Sequence, residues 1–237
     1  MLRGAKHSHA QDDRKREGTV FRIITIEREY GCGGGEIAQE IAERLGWKLW
    51  DRALTEEIAK AANVECSAVE RCEERVDSGF QQLVKVFWRG SYERNMAGEE
   101  LFNTDRFVAV GKQVMKKAAD AGNCVIVGRG APYFLREHPG VFHVFLYASY
   151  AEKLRRLREL GNSQSEAEDM LSTIDRDRMT FVKRYFNADW PTRCLYHMMI
   201  NTAIGNLNVI TTILDTMRTL ERTPVNAQLP ACPAGNE

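Results

Sequence analysis

Short apolar runs of strand length alternate along this chain with longer segments whose apolar residues recur every three or four positions. Residues 21–27 are rich in β-branched side chains and predict a first strand that runs directly into the cluster Gly31-Cys32-Gly33-Gly34-Gly35. A helix is expected immediately after it: Ile37, Ile41 and Leu45 form a stripe at four-residue spacing, Ala38 and Ala42 widen the stripe, and Gly46 offers a left-handed stop. Residues 47–50 predict a short second strand ending at Asp51-Arg52. From 55 to about 104 the pattern is mostly helical, with a capping box at Ser67 and Glu70, and predicts a helical insertion over the sheet.

Further along, the periodicity predicts a helix over 105–121 stopped by Gly122, then a buried strand over 124–127 halted by Gly128-Arg129-Gly130. A strand over 141–147 and a cationic helix over 150–160 follow. A second capping box is expected at Ser165 and Glu168, opening a long charged helix to about Phe186. Residues 195–200 predict the last strand, and Val209, Ile210, Ile213, Leu214 and Met217 mark a closing amphipathic helix. The alternation is that of βαβ units, so the expected fold class is α/β, with a parallel sheet in a three-layer core.

Composition narrows the function classes. A chain of 237 residues with 43% hydrophobic residues can bury a core, which places one enzyme-sized domain over 21–222 between tails at 1–20 and 223–237. The 33 basic residues cancel the 33 acidic ones, which argues against a surface committed to nucleic acid or anionic lipid. No apolar run approaches the roughly 20 residues of a membrane span, and residues 1–20 contain no apolar secretion segment, so a soluble cytoplasmic protein is expected. Cys32, Cys66, Cys72, Cys124, Cys194 and Cys232 form no Cys-x-x-Cys pair, so neither a protein-held metal nor a disulfide framework is expected. His7 and His9 read as part of a solvated tail.

A strand, a glycine turn and a helix in succession bring unpaired amides and the positive end of a helix dipole to the carboxyl edge of a sheet, where they can cradle a phosphate. Glycine lets the backbone approach the phosphate oxygens and supplies positive φ. Two known motifs fit incompletely. The dinucleotide pattern G-x-G-x-x-G begins at Gly31 and Gly33 but meets Glu36 where its third glycine belongs. The pattern G-x-x-x-x-G-K-[ST] meets Gly34 in place of its lysine and Glu36 in place of its hydroxyl.

The blocks running from Ile24 through Gly31-Cys32-Gly33-Gly34-Gly35-Glu36 to Ala38, from Leu45 to Arg52, from Val125 to Ala131 and from Val144 to Ala148 resemble the cytidylate kinase-like family of P-loop proteins, in that family's order. The resemblance spans about 22–220 and implies a P-loop NTPase fold with a helical insertion (55–103) and an arginine-bearing lid (152–186). It implies transfer of the γ-phosphoryl of ATP, with Mg2+, to CMP or dCMP. Family glycine loops commonly lack the lysine, as here. In that frame Gly31 to Gly35 and Glu36 line the ATP phosphates, Arg129 contacts the nucleoside monophosphate, and Asn201 with Thr202 lies near the adenine.

The remaining polar positions carry two readings each. Asp51 can orient an acceptor or hold magnesium through water, and Arg52 can fork onto a phosphate; both can equally be a surface pair or helix cap. Arg129, between two glycines, can grip a phosphate bidentately. A loop without its lysine needs cations from elsewhere, so Arg155, Arg158 and Arg176 are the expected lid cations, with Arg184 on the face of Arg176 as an acceptor contact. Against this stands an ordinary solvated basic helix in which Asp175 and Asp177 pair with the arginines. Cys32, though at a helix N-terminus that lowers thiol pKa, reads as a small loop residue. The rival functional classes are a nucleotide-binding regulatory protein without transfer, and a kinase for another small acceptor with Asp51 as base.

Overall fold

Residues 20–61 and 104–222 are described by a computed structural model. The tail assignments, the capping box at Ser67 and Glu70 and most of the expected insertion lie outside these residues. The strands are β1 (Ile23–Arg28), β2 (Lys48–Trp50), β3 (Cys124–Val127), β4 (Val141–Tyr147) and β5 (Met198–Asn201). The helices are α1 (Gly34–Leu45), α2 (Arg52–Ala61), α3 (Thr104–Ala121), α4 (Ala131–Phe134), α5 (Tyr150–Glu159), α6 (Gln164–Phe186) and α7 (Asn206–Arg222).

All strand pairs are parallel, in the order β2-β3-β1-β4-β5. β1 is therefore central and its glycine loop opens at the middle of the carboxyl edge. Successive side chains of a strand point to opposite faces. Ile24 and Ile26 accordingly join α1 and α7 in one core with Val125, Val127, Val144, Ile210 and Ile213. Ile23, Ile126 and Phe145 join α2, α3, α4 and α6 in the other, with Leu54, Met115, Tyr133 and Phe181. Burying each such large side chain contributes about 1.5–3 kcal/mol, so the two faces together hold the sheet edge rigid. A third, smaller cluster of Leu157, Ala167 and Leu171 packs α5 on α6, with Tyr30 of the loop against it.

Several boundaries differ from expectation for local reasons. β1 starts at Ile23, beyond Phe21, because its ladder partners Cys124 and Val141 set the register. Arg52 opens α2 directly, so Asp51 sits at a strand-to-helix junction. The capping box forms at Ser163 and Glu166, two residues before the expected pair: the Ser163 hydroxyl accepts from the Glu166 amide while the Glu166 carboxylate accepts from the Ser163 amide at 2.9 Å. Residues 193–195 form a 3-10 turn, which delays β5 to Met198. Cys32 and Cys124 are free and buried, whereas Cys194 is disulfide-bonded, against the expectation of unpaired cysteines; sequence spacing cannot reveal such a long-range pairing. No helix among the described residues is long and apolar enough to cross a membrane.

One core polar pair sets an acid response. The Thr25 hydroxyl and His143 Nδ1 lie 2.7 Å apart inside the sheet, and the His143 amide donates to His197 Nδ1 at 3.0 Å. Burial, then the neighbouring His197, pushes the His143 pKa down to about 3. The native state therefore refuses a proton that the unfolded chain takes up near pH 6.5. Stability is fully present above that pH and is lost as pH falls from about 6.5 towards 3. In thermal melts between pH 7 and 4, His143→Gln is expected to show a shallower fall in Tm than the parent; an equally steep fall would assign the acid sensitivity to other groups.

Candidate nucleotide and acceptor site

The loop between β1 and α1 turns on two left-handed glycines, Gly31 (φ 76) and Gly33 (φ 80), and Gly33 caps α1 without any side-chain hydrogen bond to the first-turn amides. Those amides point to the carboxyl edge, where the dipole of α1 favours an anion. Gly35 has open space where a Cβ would stand, so this side of the cradle is clear. Cys32 is wholly buried behind the loop; its thiol donates to the Leu146 carbonyl at 3.7 Å, and burial raises its pKa, outweighing the Gly34 amide and nearby arginines. It is a packing residue, in keeping with its reading as a small loop residue.

The loop is fixed from outside. Thr202, fully buried after β5, donates through its hydroxyl to the Cys32 carbonyl at 2.8 Å. Arg156 of α5 donates to the same carbonyl and to Thr202 Oγ1 at 3.2 Å, while its Nε is held by Glu152 at 3.1 Å. A Cβ on Gly33 would collide with the Arg156 guanidinium, so the side chain lies directly over the turn. Lys153, one turn earlier on α5, packs its own Cβ 3.3 Å from where a Gly31 Cβ would stand, and its ammonium donates to Glu29 at 2.8 Å with Asp175 at 3.8 Å.

From α6, Asp175 accepts from the Tyr30 amide at 2.8 Å, and buried Arg178 donates to the Arg28 carbonyl at 2.6 Å and to Asp175 at 2.9 Å. Two lid helices thus grip the loop through its peptide groups.

The expected lid arginines are placed differently. Arg155 is exposed and pairs with Glu152 and Glu159 on its own helix, which raises its pKa; Arg158 and Arg176 are exposed. Arg184 is exposed, with its guanidinium 5.3 Å from the Tyr185 ring centre. The cations that the described residues bring to the loop include Arg28, Lys153, Arg156 and Arg178. The signal was present: Leu157 is the buried position of α5, Lys153 lies four residues before it and Arg156 three residues after Lys153, while Arg178 interrupts the buried stripe Leu171, Arg178, Val182.

At the far side of the edge, Arg129 follows β3 at φ 56 and is 4% exposed. Burial lowers its pKa to about 10 and the Asp51 charge opposes that fall, so it stays a cation at neutral pH. Asp51 Oδ1 is buried with no hydrogen-bond partner among the described residues. Arg52 is exposed on α2 with Glu56 at 3.8 Å. Asn201 caps the turn after β5 by accepting from the Ala203 amide at 3.0 Å, and Glu36 accepts from Asn206 at 3.2 Å. The structure brings together the glycine loop, Thr202, Arg156, Lys153 and Arg178, with Arg129 and Asp51 beside them along the edge; it leaves Arg52, Arg155, Arg158, Arg176 and Arg184 outward.

A central parallel strand, a glycine loop opening an uncapped helix, and two helices packed over that loop give the α/β architecture of the P-loop fold. The model of the cytidylate kinase-like family matches residues 23–204, and the chain belongs to that family. An uncharacterized protein from Eubacterium ventriosum is similar in structure, with TM-score 0.60 and 19% identity over 83% of this chain and 98% of that one. A shikimate kinase from Bacteroides thetaiotaomicron is more distant, with TM-score 0.45 and 18% identity over 84% of this chain and 98% of that one. Among curated proteins none matches.

Gly33→Ala tests the cradle, since alanine resists the left-handed backbone and its Cβ displaces Arg156. The expected result is at least a tenfold weaker affinity for a non-hydrolysable ATP analogue by calorimetry, with the far-UV spectrum retained; unchanged affinity would place the triphosphate elsewhere.

Proposed function

We propose that the protein transfers the γ-phosphoryl group of ATP to a pyrimidine nucleoside monophosphate, CMP or dCMP. The observation that supports it is the set of cations around a loop with no lysine of its own. Amides of α1's first turn would receive the phosphates, and the Arg156 guanidinium already lies over Gly33 at the start of that turn. On nucleotide binding its guanidinium would exchange the Cys32 carbonyl for phosphate oxygens, a stronger charge-assisted partner. Thr202 would keep the carbonyl satisfied, so the loop need not relax.

Arg129 would clamp the acceptor phosphate. An oxygen of that phosphate attacks the γ phosphorus, the bond to the β–γ bridging oxygen breaks, and ADP leaves. An acceptor that is already anionic needs no general base. Magnesium, when bound, neutralises charge on the β and γ oxygens. Asp51, with its unpartnered oxygen, is the protein carboxylate best suited to hold it through water. No group of three ligands exists among the described residues, so phosphate oxygens and waters would complete the shell.

A second reading rests on the same Arg156 contact. A guanidinium hydrogen-bonded across the turn also suits a nucleotide-binding regulatory protein in which no transfer follows.

A coupled assay with ATP, magnesium and CMP or dCMP separates them. Turnover is the expected result; thermal stabilisation by ATP without turnover of any acceptor would establish the second reading. Arg129→Lys keeps the charge but loses the fork, and is expected to raise the acceptor KM at least tenfold with little change in kcat. An unchanged KM would remove Arg129 from the acceptor site.

A further inference from the structure

Glu27 is a poorly accommodated group among the described residues. It stands at the carboxyl end of the central strand, is 0% exposed, and neither carboxylate oxygen has a partner in hydrogen-bonding geometry. Its position fixes where it looks. By strand alternation Glu27 faces the same side as Ile23 and Thr25, the side covered by α4 and α6. Its ladder neighbour on β4 is Phe145, whose ring lies 5.2 Å from Tyr196 and 5.4 Å from Trp190.

The Glu27 charge also acts on Arg129 and on the hydroxyls of Tyr133 and Tyr196. Trp190 Nε1 is buried without a hydrogen-bond partner among the described residues, and the Tyr196 hydroxyl faces that of Tyr133. A carboxyl, an indole N–H, a phenol and the Arg129 guanidinium are thus gathered under the lid beside the glycine loop.

Burying a polar group without a partner is costly, and burying a carboxylate more so. Burial raises the Glu27 pKa, and the charges of Arg28 and Arg178 with the Arg28 amide offset only part of that rise. Its charge counters the buried guanidinium groups of Arg129 and Arg178, so the carboxyl is balanced electrostatically while its oxygens lack a side-chain hydrogen bond.

We infer that Glu27 is an acceptor-recognition residue, whose carboxyl accepts hydrogen bonds from an amino or hydroxyl group of the molecule that Arg129 holds by its anionic end. This rests on the acceptor site proposed above and narrows its ligand: beside the phosphate, the acceptor must carry a hydrogen-bond donor that reaches the floor of the site. The exocyclic amine of cytosine and the hydroxyls of the sugar both meet that requirement. Burying such a donor against an aliphatic side chain would leave it unpaired, which makes the carboxyl a discriminating feature rather than a general anchor.

The test compares the full-length protein with Glu27→Leu and Glu27→Gln, using CMP, dCMP and UMP as acceptor probes in calorimetry, a non-hydrolysable ATP analogue as the control, and thermal melts without ligand. The expected result for Glu27→Leu is a ten- to hundredfold loss of affinity for whichever probe binds the parent, with unchanged affinity for the ATP analogue and a retained cooperative melt. Glu27→Gln, which keeps one acceptor oxygen, is expected to lose less probe affinity than Glu27→Leu. Equal probe affinity in the parent and both variants would overturn the assignment while leaving the acceptor site intact. A fall in Tm together with weaker ATP-analogue binding would make Glu27 a structural residue and overturn it too. A parent that binds none of the three probes would overturn the acceptor site itself, and this assignment with it.

Discussion

The Cys32 carbonyl is held from two directions, by the Thr202 hydroxyl arriving from the end of β5 and by the Arg156 guanidinium arriving from α5. One peptide oxygen therefore ties together the first strand, the lid and the last strand. Turning this carbonyl back towards the protein is what frees the amides that follow it to face outward, because a peptide unit has its N–H and C=O on opposite sides. The proposed anion cradle consequently depends on interactions made behind it. A loop with a lysine of its own carries a charge to the phosphate; this loop carries geometry, and charge is brought to it by helices packed on the other side of a small apolar cluster of Leu157, Ala167 and Leu171.

Much of the architecture was legible in the residues. The β-branched run of β1, the glycines after it and the four-residue stripe of α1 all report local physics, and these elements formed with boundaries shifted by a residue or two. β3 and β4 appeared over the expected residues, because a strand buried on both faces must be continuously apolar. The strand order was a matter of tertiary pairing and had no local signature. The capping box was misplaced since Ser163 and Ser165 each precede a glutamate by three positions, and only the start of the helix decides between them.

The site was less legible, for a different reason. Arg155, Arg156 and Arg158 are chemically the same, so composition cannot say which one meets the loop; orientation decides, and orientation follows from the buried Leu157. Glu27 carried a clearer signal that charge-pattern reasoning passes over: a carboxylate at the end of the β-branched run Ile23 to Ile26, all of it buried. Arg178 is its counterpart on α6. In both cases an ionisable side chain occupies a place that the apolar pattern reserves for the core.

The clamp from α6 has a further consequence for how the sequence can drift. Asp175 and Arg178 take hold of Tyr30 and Arg28 by an amide and a carbonyl, groups that every residue other than proline provides in the same place. The side chains on the loop are left out of that agreement. This contact alone therefore constrains a three-residue interval on one helix, while the glycines it embraces are constrained by their own left-handed backbone.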